Sequence, residues 1–340
     1  MPYLRLRDDE NVSIQGLLTE LAAQWGSSED ADLQKEAPVA AHELPRRVRQ
    51  ALMEFKLTEP QDGYLIVSNY PIDESKIGPT PGHWKRNGSP STAVEEEIFL
   101  LLLGSLLGTC IGWSTQQDGR IVHDILPIKE HKGEQLGSGS EQTLWWHTED
   151  AFHPYRGDYL GMACLRNPDR VPTTFATLEG IHLPDAQWRL LFEPHFTIRP
   201  DESHLVKNKS EERKVEGELV DAYARIEEMN TAPDKIAVLF GDRERPYMRL
   251  DPYFMDPVEE LPEAQEALDA LVKAIDQKLY DLVLEPGDFC LIDNFQGVHG
   301  RRPFKARFDG TDRWMKRVNV TRDLRKSRSA RLSADSPIIL

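Results

Sequence analysis

Leu282-Val-Leu-Glu-Pro-Gly-Asp-Phe-Cys-Leu-Ile292 sets two apolar runs on either side of Glu285-Pro-Gly-Asp288. Proline presets one turn torsion, glycine accepts a positive φ, and aspartate bonds nearby backbone, so this tetrapeptide joins antiparallel strands. The same texture runs outward from it. Short apolar or alternating segments at 121–128, 142–149, 159–165, 173–178, 235–240, 247–250, 282–284, 289–292 and 316–321 read as strands separated by turn residues. So many short strands predict a sandwich or a barrel. Upstream the period changes. Residues 12–25 and 45–57 carry apolar side chains at helical spacing, with Val48, Leu52 and Phe55 on one face of the second segment. Glu95, Glu96 and Glu97, with Thr92 as a candidate cap, open another helix, because acidic side chains suit a helix N-terminus. Residues 63–68 form a short buried strand between these helices, and 78–90 form a loop rich in proline and glycine. One later helix spans 257–279, with Leu268, Leu271, Val272, Ile275 and Leu279 on its apolar side. The expected architecture is mainly β with flanking helices.

The chain has 340 residues and a net charge of −16. A nucleic-acid partner is disfavoured, since that function needs a basic face. An acidic field favours a cationic small substrate, although acidity also serves plain solubility. Cys110, Cys164 and Cys290 are odd in number and show no CxxC spacing. They make no disulfide framework, and a cytoplasmic setting is expected. The first residues lack an apolar signal region. The most apolar run, 98–113, is broken by Gly104, Ser105 and Gly108. It falls short of the roughly 20 residues that cross a membrane, and reads as a buried core helix. No linker divides the chain, so one domain over 1–340 is expected, with a mostly helical part at 1–112, a β core at 113–321 and a tail at 322–340. Residues 204–230 are strongly charged, through Lys207, Lys209, Glu211, Glu212, Arg213 and Lys214. A solvated helix, a disordered insertion and a lid over a site are all open readings of this segment.

The chemistry concentrates around Glu141-Gln-Thr-Leu-Trp-Trp-His-Thr-Glu-Asp-Ala-Phe-His153. Within a strand, residues i and i+2 share a face, so His147 and Glu149 project together while Thr148 and Asp150 point away. A third donor, His299, lies downstream in Asn294-Phe-Gln-Gly-Val-His-Gly-Arg301. Two imidazoles and one carboxylate cap one face of a metal and leave the other open, the arrangement of non-haem iron oxygenases. Taken singly, each histidine has a structural reading as well. Arg313 follows His299 by 14 residues, just before a predicted strand, and arginine grips carboxylates bidentately. Arg317 has the same strand parity and faces the same way. The alternative for both is an internal ion pair. Trp145 and Trp146 straddle their strand as core residues. Asp251, after the strand at 247–250, offers the carboxylate that a buried guanidinium requires, because that group cannot lose its proton. A turn role, with Asp251 before Pro252, is the competing reading.

His147-x-Glu149, His299 and Arg313 resemble the metal and co-substrate signature of the Fe(II)/2-oxoglutarate-dependent oxygenases. Within them the chain is similar to the clavaminate-synthase-like branch, which uses His-x-Glu in place of His-x-Asp. The local text is closer still to the free L-arginine hydroxylases of viomycin and streptothricin biosynthesis. It is carried by Trp146-His-Thr-Glu-Asp-Ala-Phe-His-Pro-Tyr-Arg156, Cys164-Leu-Arg-Asn-Pro-Asp169, Val171-Pro-Thr-Thr174 and Arg249-Leu-Asp-Pro-Tyr-Phe-Met-Asp256. The resemblance implies a double-stranded β-helix (jelly-roll) core and an enzyme using Fe(II), 2-oxoglutarate and O2. It implies His147, Glu149 and His299 as metal ligands, and Arg313 with Thr173 on the far carboxylate of 2-oxoglutarate. Gln116 and Glu149 would meet the substrate amine, Arg317 its carboxylate, and Asp251 its guanidinium. The implied reaction is hydroxylation of free L-arginine at C3, with C4 as a further position, in antibiotic (non-ribosomal peptide) biosynthesis. One departure stands out. Relatives can place a second acid two residues beyond Asp251, where this chain has Tyr253; Asp256 or a residue of the charged segment is a candidate replacement.

Three rival readings remain at this level. A His2Glu zinc hydrolase uses the same ligand set, but the chain lacks His-Glu-x-x-His and such an enzyme has no use for Arg313. A non-catalytic barrel would bind a cationic metabolite without turnover. A hydroxylase of another polar amino acid such as asparagine would need no Asp251.

Overall fold

The structure is a computed structural model, and it describes residues 2–86, 89–209 and 214–340. Asn87 and Gly88 of the proline- and glycine-rich loop lie outside the described residues, as do Glu211, Glu212 and Arg213 of the charged run. The first third contains β1 (Tyr3–Arg5), α1 (Asp8–Trp25), α2 (Ala31–Ala40), α3 (Arg46–Thr58), β2 (Tyr64–Ser68), α4 (Glu74–Ile77) and α5 (Val94–Leu107). There follow β3 (Thr109–Trp113), β4 (His123–Ile125), β5 (Leu144–His147), β6 (Tyr159–Arg166), β7 (Thr173–Thr177), α6 (Asp185–Leu191) and α7 (Glu218–Thr231). The rest comprises β8 (Leu239–Gly241), β9 (Pro246–Met248), α8 (Pro262–Lys278), β10 (Tyr280–Leu282), β11 (Phe289–Asp293), β12 (Gly297–Arg301), β13 (Trp314–Thr321) and β14 (Ile338–Ile339).

Two sheets form the body. The larger has the order β1-β2-β11-β6-β13-β3-β14, with β4 also paired to β13; the smaller has the order β10-β7-β12-β5. The pairings are antiparallel except β1 with β2 and β14 with β3. Strand alternation sorts the side chains into layers. Ile66, Leu160, Met162, Cys290, Ile292 and Met315 of the larger sheet meet Phe175 and Leu282 of the smaller one. On the outer face of the larger sheet, Leu65, Val67, Ala163, Leu291, Val318 and Val320 pack under α1, α2, α3 and α5. On the outer face of the smaller sheet, Trp146, Ala176 and Val298 pack with Leu191 of α6 and Leu268, Leu271 and Ile275 of α8. The molecule is thus a pair of mixed sheets with helices on both outer faces.

β13 shows how alternation serves the site. Trp314, Lys316, Val318 and Val320 turn outward, and Lys316 is fully buried against Glu97 (2.7 Å) and Asp124. Met315, Arg317 and Asn319 turn inward. Buried charges are tolerable only when paired and hydrogen-bonded, and here Asp124 also accepts from Trp314 Nε1 at 2.8 Å. That network pins β4 to β13.

Several expectations need correction. The apolar run at 98–113 is a core helix only as far as Leu107; β3 begins at Thr109. Gly108 makes the switch, because a Cβ there would sit 2.2 Å from the Thr321 carbonyl oxygen. Thr92 is not a cap: its hydroxyl donates to Ile77 O (2.6 Å), and the helix starts behind Ala93. Of the two tryptophans, Trp146 is core, but Trp145 is 43% exposed and lines the cavity. In the charged segment, α7 buries Leu219, Ala222, Tyr223 and Ile226, and His204 is completely buried, so a purely solvated or disordered reading does not hold for the described part. α2, with Pro38 inside it, and α6 had no counterpart in the sequence reading. Asp30 starts α2 by accepting from the Asp32 and Leu33 amides at 2.9 and 3.1 Å.

Candidate metal centre and substrate cavity

Antiparallel pairing of β5 with β12 puts His147 directly opposite His299. Their ring centroids are 4.8 Å apart. The carboxylate of Glu149 reaches both: its Oε2 lies 3.6 Å from His147 Nε2 and 3.3 Å from His299 Nε2. One ligand atom from each residue lies within 4.8 Å of the others. His147 Nδ1 is 2.7 Å from the Trp145 carbonyl. A carbonyl only accepts, so Nδ1 carries the proton and Nε2 keeps its lone pair for a metal. The three donors fit a divalent transition metal as a facial set. Burial opposes charge on Glu149, but Arg317 and the two imidazoles hold its carboxyl well below the usual range. Burial also opposes a proton on His147, yet the Glu149 carboxylate, with Asp251 further off, pushes it up to about 9.

Glu149 lies two residues past the end of β5, so strand pairing does not fix it. Asn294 does. Its Oδ1 accepts from the Glu149 amide (2.7 Å), and its Nδ2 donates to the Glu149 carbonyl (3.0 Å) and to Gly157 O (2.8 Å). Asn294 is fully buried and sits in the turn that leads into His299. The β11–turn–β12 segment, which passes from the larger sheet to the smaller, therefore holds two of the three donors. Asp150 lies past the strand end in a turn, with a φ of 50°, so strand parity does not place it. It accepts from Trp113 Nε1 (2.6 Å) and Asn319 Nδ2 (2.9 Å) and pairs with His204 (3.1 Å).

The remaining residues named from the sequence share this cavity: Gln116, Thr173, Asp251, Arg313 and Arg317 all line it. Arg313 is buried, with no hydrogen bond or ion pair to its side chain among the described residues, and its Nε is an orphan donor. Burial lowers its pKa without abolishing its charge. A buried cation held without a counter-charge calls for an anionic ligand. Arg301 lies beside it, and its own guanidinium donates to the carbonyls of Gly137, Gly139 and Gln142. Thr173 pairs in register with Arg301. Arg317 forms an ion pair with Glu149 Oε1 and donates to Gln116 Oε1 at 3.2 Å.

Two further carboxylates stand in the same space. Burial pushes Asp251 up to about 6, and the neighbouring Asp201 adds to the shift while His147 opposes it. Asp201 had not been singled out from the sequence; it lies just ahead of the charged segment and would have needed the fold to be found. Tyr253 lines the cavity but is 50% exposed. Asp256, a candidate second acid, is instead engaged by Arg199 (2.8 Å) and Thr197 (3.1 Å). Of the charged segment, Asn208 reaches the cavity, and Ser203 just before it accepts from Gln116 Nε2.

Comparison with known proteins agrees with this geometry. Residues 193–319 match the family described as taurine catabolism dioxygenase TauD, TfdA family. The chain is 46% identical to an enduracididine beta-hydroxylase of Streptomyces hygroscopicus and 44% identical to an L-ornithine/L-arginine 3-hydroxylase of Catenulispora acidiphila, in each case over 100% of both chains. It is also similar to the non-heme iron oxygenase OrfP, solved in complex with Fe, succinate and (3S)-hydroxy-L-Arg. That likeness has a TM-score of 0.94, 44% identity and full coverage of both chains. Full-length identity at this level, together with a convergent His-Glu-His site, means that the chain belongs to the TauD/TfdA family of iron- and 2-oxoglutarate-dependent dioxygenases.

Proposed function

We propose that the protein hydroxylates free L-arginine at C3, with C4 as a further position, in antibiotic biosynthesis, using Fe(II), 2-oxoglutarate and O2. The observation that carries this reading is one cavity with three charge patterns: the His147-Glu149-His299 set, the unneutralised Arg313, and the pair Asp201 and Asp251. A dicarboxylate co-substrate answers Arg313, and a guanidinium answers two acids. The relatives named for arginine and enduracididine, and OrfP with hydroxy-arginine, support the same substrate class.

His147, Glu149 and His299 would hold iron, which with 2-oxoglutarate and O2 supplies an oxidant able to replace an unactivated C–H bond by C–OH. The chain's own work is positioning. Arg313, with the Thr173 hydroxyl beside it, would hold the far carboxylate of 2-oxoglutarate. Arg317 now pairs with Glu149 Oε1, and a substrate α-carboxylate would replace that partner while Glu149 and Gln116 turn to the α-amine. Asp251 and Asp201 would fix the guanidinium, so Asp201 stands in for the acid missing at Tyr253. Gripping both ends of arginine aims one part of its chain at the metal, and misplacement of about 1 Å can cost about 100-fold in rate. We read the two sheets as a double-stranded β-helix core, the chain as one domain, and the insertion at about 204–230 as lid-like, a reading supported by Asn208 of its described part lining the cavity. A cytoplasmic setting accords with three free cysteines.

A zinc hydrolase leaves Arg313 without a task, and an asparagine hydroxylase leaves the buried Asp251 carboxyl without one. The deciding test is anaerobic loading with Fe(II), then exposure to O2 with 2-oxoglutarate and a panel of free amino acids. The expected result is succinate release coupled to an arginine product heavier by one or two oxygen atoms, with NMR placing the first hydroxyl at C3. Succinate release with asparagine but not arginine would overturn the reading.

A further inference from the structure

We propose that His123 is a positioning residue for the substrate: a neutral imidazole that accepts a hydrogen bond from Arg317 and holds its guanidinium turned toward the amino-acid carboxylate. This rests on the reading of Arg317 as the group that meets that carboxylate. His123 opens β4, and β4 pairs with β13 so that His123 stands opposite Arg317. His123 Nδ1 lies 2.9 Å from an Arg317 terminal nitrogen, and His123 Nε2 lies 3.0 Å from the Arg120 carbonyl oxygen. A guanidinium has donors only, so Nδ1 must present a lone pair. A carbonyl has acceptors only, so Nε2 must carry the proton. The two contacts admit one tautomer, and it is neutral. Burial and the neighbouring Arg317 push the pKa of His123 down to about 3, in keeping with that state.

Neutrality is what the position requires. The same Arg317 nitrogen also donates to Gln116 Oε1 at 3.2 Å. Two uncharged acceptors thus orient the guanidinium without cancelling its charge, which stays available to a carboxylate. An acid in place of His123 would form a permanent ion pair and compete with the substrate. Arg317 already pairs with Glu149 Oε1 through its other terminal nitrogen, and an apolar side chain at 123 would leave only Gln116 to hold the guanidinium against that pull. Both acceptors are held on one platform. Gln117 clamps the backbone of Asp124, donating to its carbonyl (2.8 Å) and accepting from its amide (3.0 Å), and so ties the loop bearing Gln116 to β4. The Asp124 carboxylate is in turn bound to Lys316 and Trp314 of β13. Arg317 Nε is buried and has no partner, leaving an additional donor for the incoming carboxylate.

The test uses the iron-loaded full chain carrying His123→Leu, His123→Asp or His123→Asn, with Arg317→Leu as reference. KM for L-arginine, KM for 2-oxoglutarate, kcat and melting temperature are measured for each. Asparagine places its carboxamide oxygen where Nδ1 stands, and so keeps a neutral acceptor. The expected result is a rise of tenfold or more in the arginine KM for the leucine and aspartate variants. The 2-oxoglutarate KM should hold within twofold, and the asparagine variant should return to within threefold of wild type. Aspartate binding arginine as well as wild type would overturn the neutral-acceptor role. So would an asparagine variant as poor as leucine, or a parallel rise of both KM values with a lower melting temperature. An arginine KM untouched by Arg317→Leu would bring down the carboxylate reading itself; one impaired there but unchanged in His123→Leu would bring down only the role of His123.

Discussion

Arg313 and Asp251 are opposite cases: one is a buried guanidinium without a counter-charge, the other a buried carboxyl that the chain meets, among its described residues, only with the backbone of Tyr253 and Phe254 and with the more distant His147. Arg313 has no partner among the described residues. Replacing it by methionine removes an unpaired cation from a buried place, so the ligand-free Arg313→Met protein should melt no lower than wild type. Its KM for 2-oxoglutarate should rise by roughly two orders of magnitude, as expected when one partner of a buried charge pair is lost. A variant that melts early yet keeps the wild-type KM would make Arg313 a structural residue. Asp251, raised to about 6 by burial and Asp201, predicts a pH effect. A guanidinium needs the ionised carboxylate, so arginine affinity is full above pH 6 and falls as the group takes up a proton below it. Titrating arginine into the anaerobic, iron-loaded protein should give a dissociation constant about tenfold weaker at pH 5 than at pH 7, following the ionised fraction. A constant that stays flat to pH 5 would show that Asp251 does not pair with the substrate. The sequence named His147, Glu149, His299 and Arg313, and the fold brings them into one cavity; parity accounts for His147 on its strand, whereas Glu149 lies past the strand end and owes its place to Asn294. Asp201, Asn294 and His123 were not legible there, because their value comes from partners that only the fold brings near.

The connection from β11 to β12 is the element on which the donor set depends. Its first strand lies in the larger sheet and its second in the smaller one, so the turn between them crosses the sandwich. Asn294 in that turn holds both backbone groups of Glu149, 145 residues away in sequence, and His299 follows five residues later. Asn294→Ala removes three hydrogen bonds and frees Glu149 from the strand that carries its co-ligand. Loss of such a supporting contact typically weakens metal binding about 10- to 100-fold. Cobalt titration of the metal-free protein, followed by absorption, should show a loss in that range; unchanged affinity would mean that the two imidazoles alone organise the carboxylate. The turn at Glu285-Pro-Gly-Asp288 is present, with the Glu285 amide donating to the Asp288 carboxylate at 2.9 Å and Gly287 at a φ of 88°, but the antiparallel pairing expected across it is not: β10 lies in the smaller sheet and β11 in the larger, so this turn too carries the chain from one sheet to the other. Strands with such flanking turns were legible. β3 was hidden because its residues follow α5 within one apolar run whose small residues at 104, 105 and 108 do not by themselves mark where helix gives way to strand; the close approach of Gly108 to Thr321 separates the two. α2 was hidden by Pro38, and α7 by a charged composition that masks the four apolar residues it buries.

At the scale of the whole molecule, the charge of −16 acts on both small molecules before either reaches the cavity. Arginine carries a net positive charge and 2-oxoglutarate two negative ones, so a negative surface potential enriches the first near the protein and depletes the second. This long-range term is screened by salt: the Debye length is about 30 Å at 0.01 M and about 8 Å at 0.15 M. The short-range terms differ in kind. Arg313 and Arg301 are buried next to each other in the cavity, and buried charges are screened far less than surface ones. Raising ionic strength over that range should therefore move the two constants in opposite directions. The arginine KM should increase as its attraction fades, and the 2-oxoglutarate KM should decrease as its repulsion fades. Steady-state assays at fixed iron, with an inert salt such as potassium chloride, would measure both. If the two constants rise together, the ions compete inside the cavity and the surface field plays no part; if neither moves, the acidity of this chain serves solubility alone.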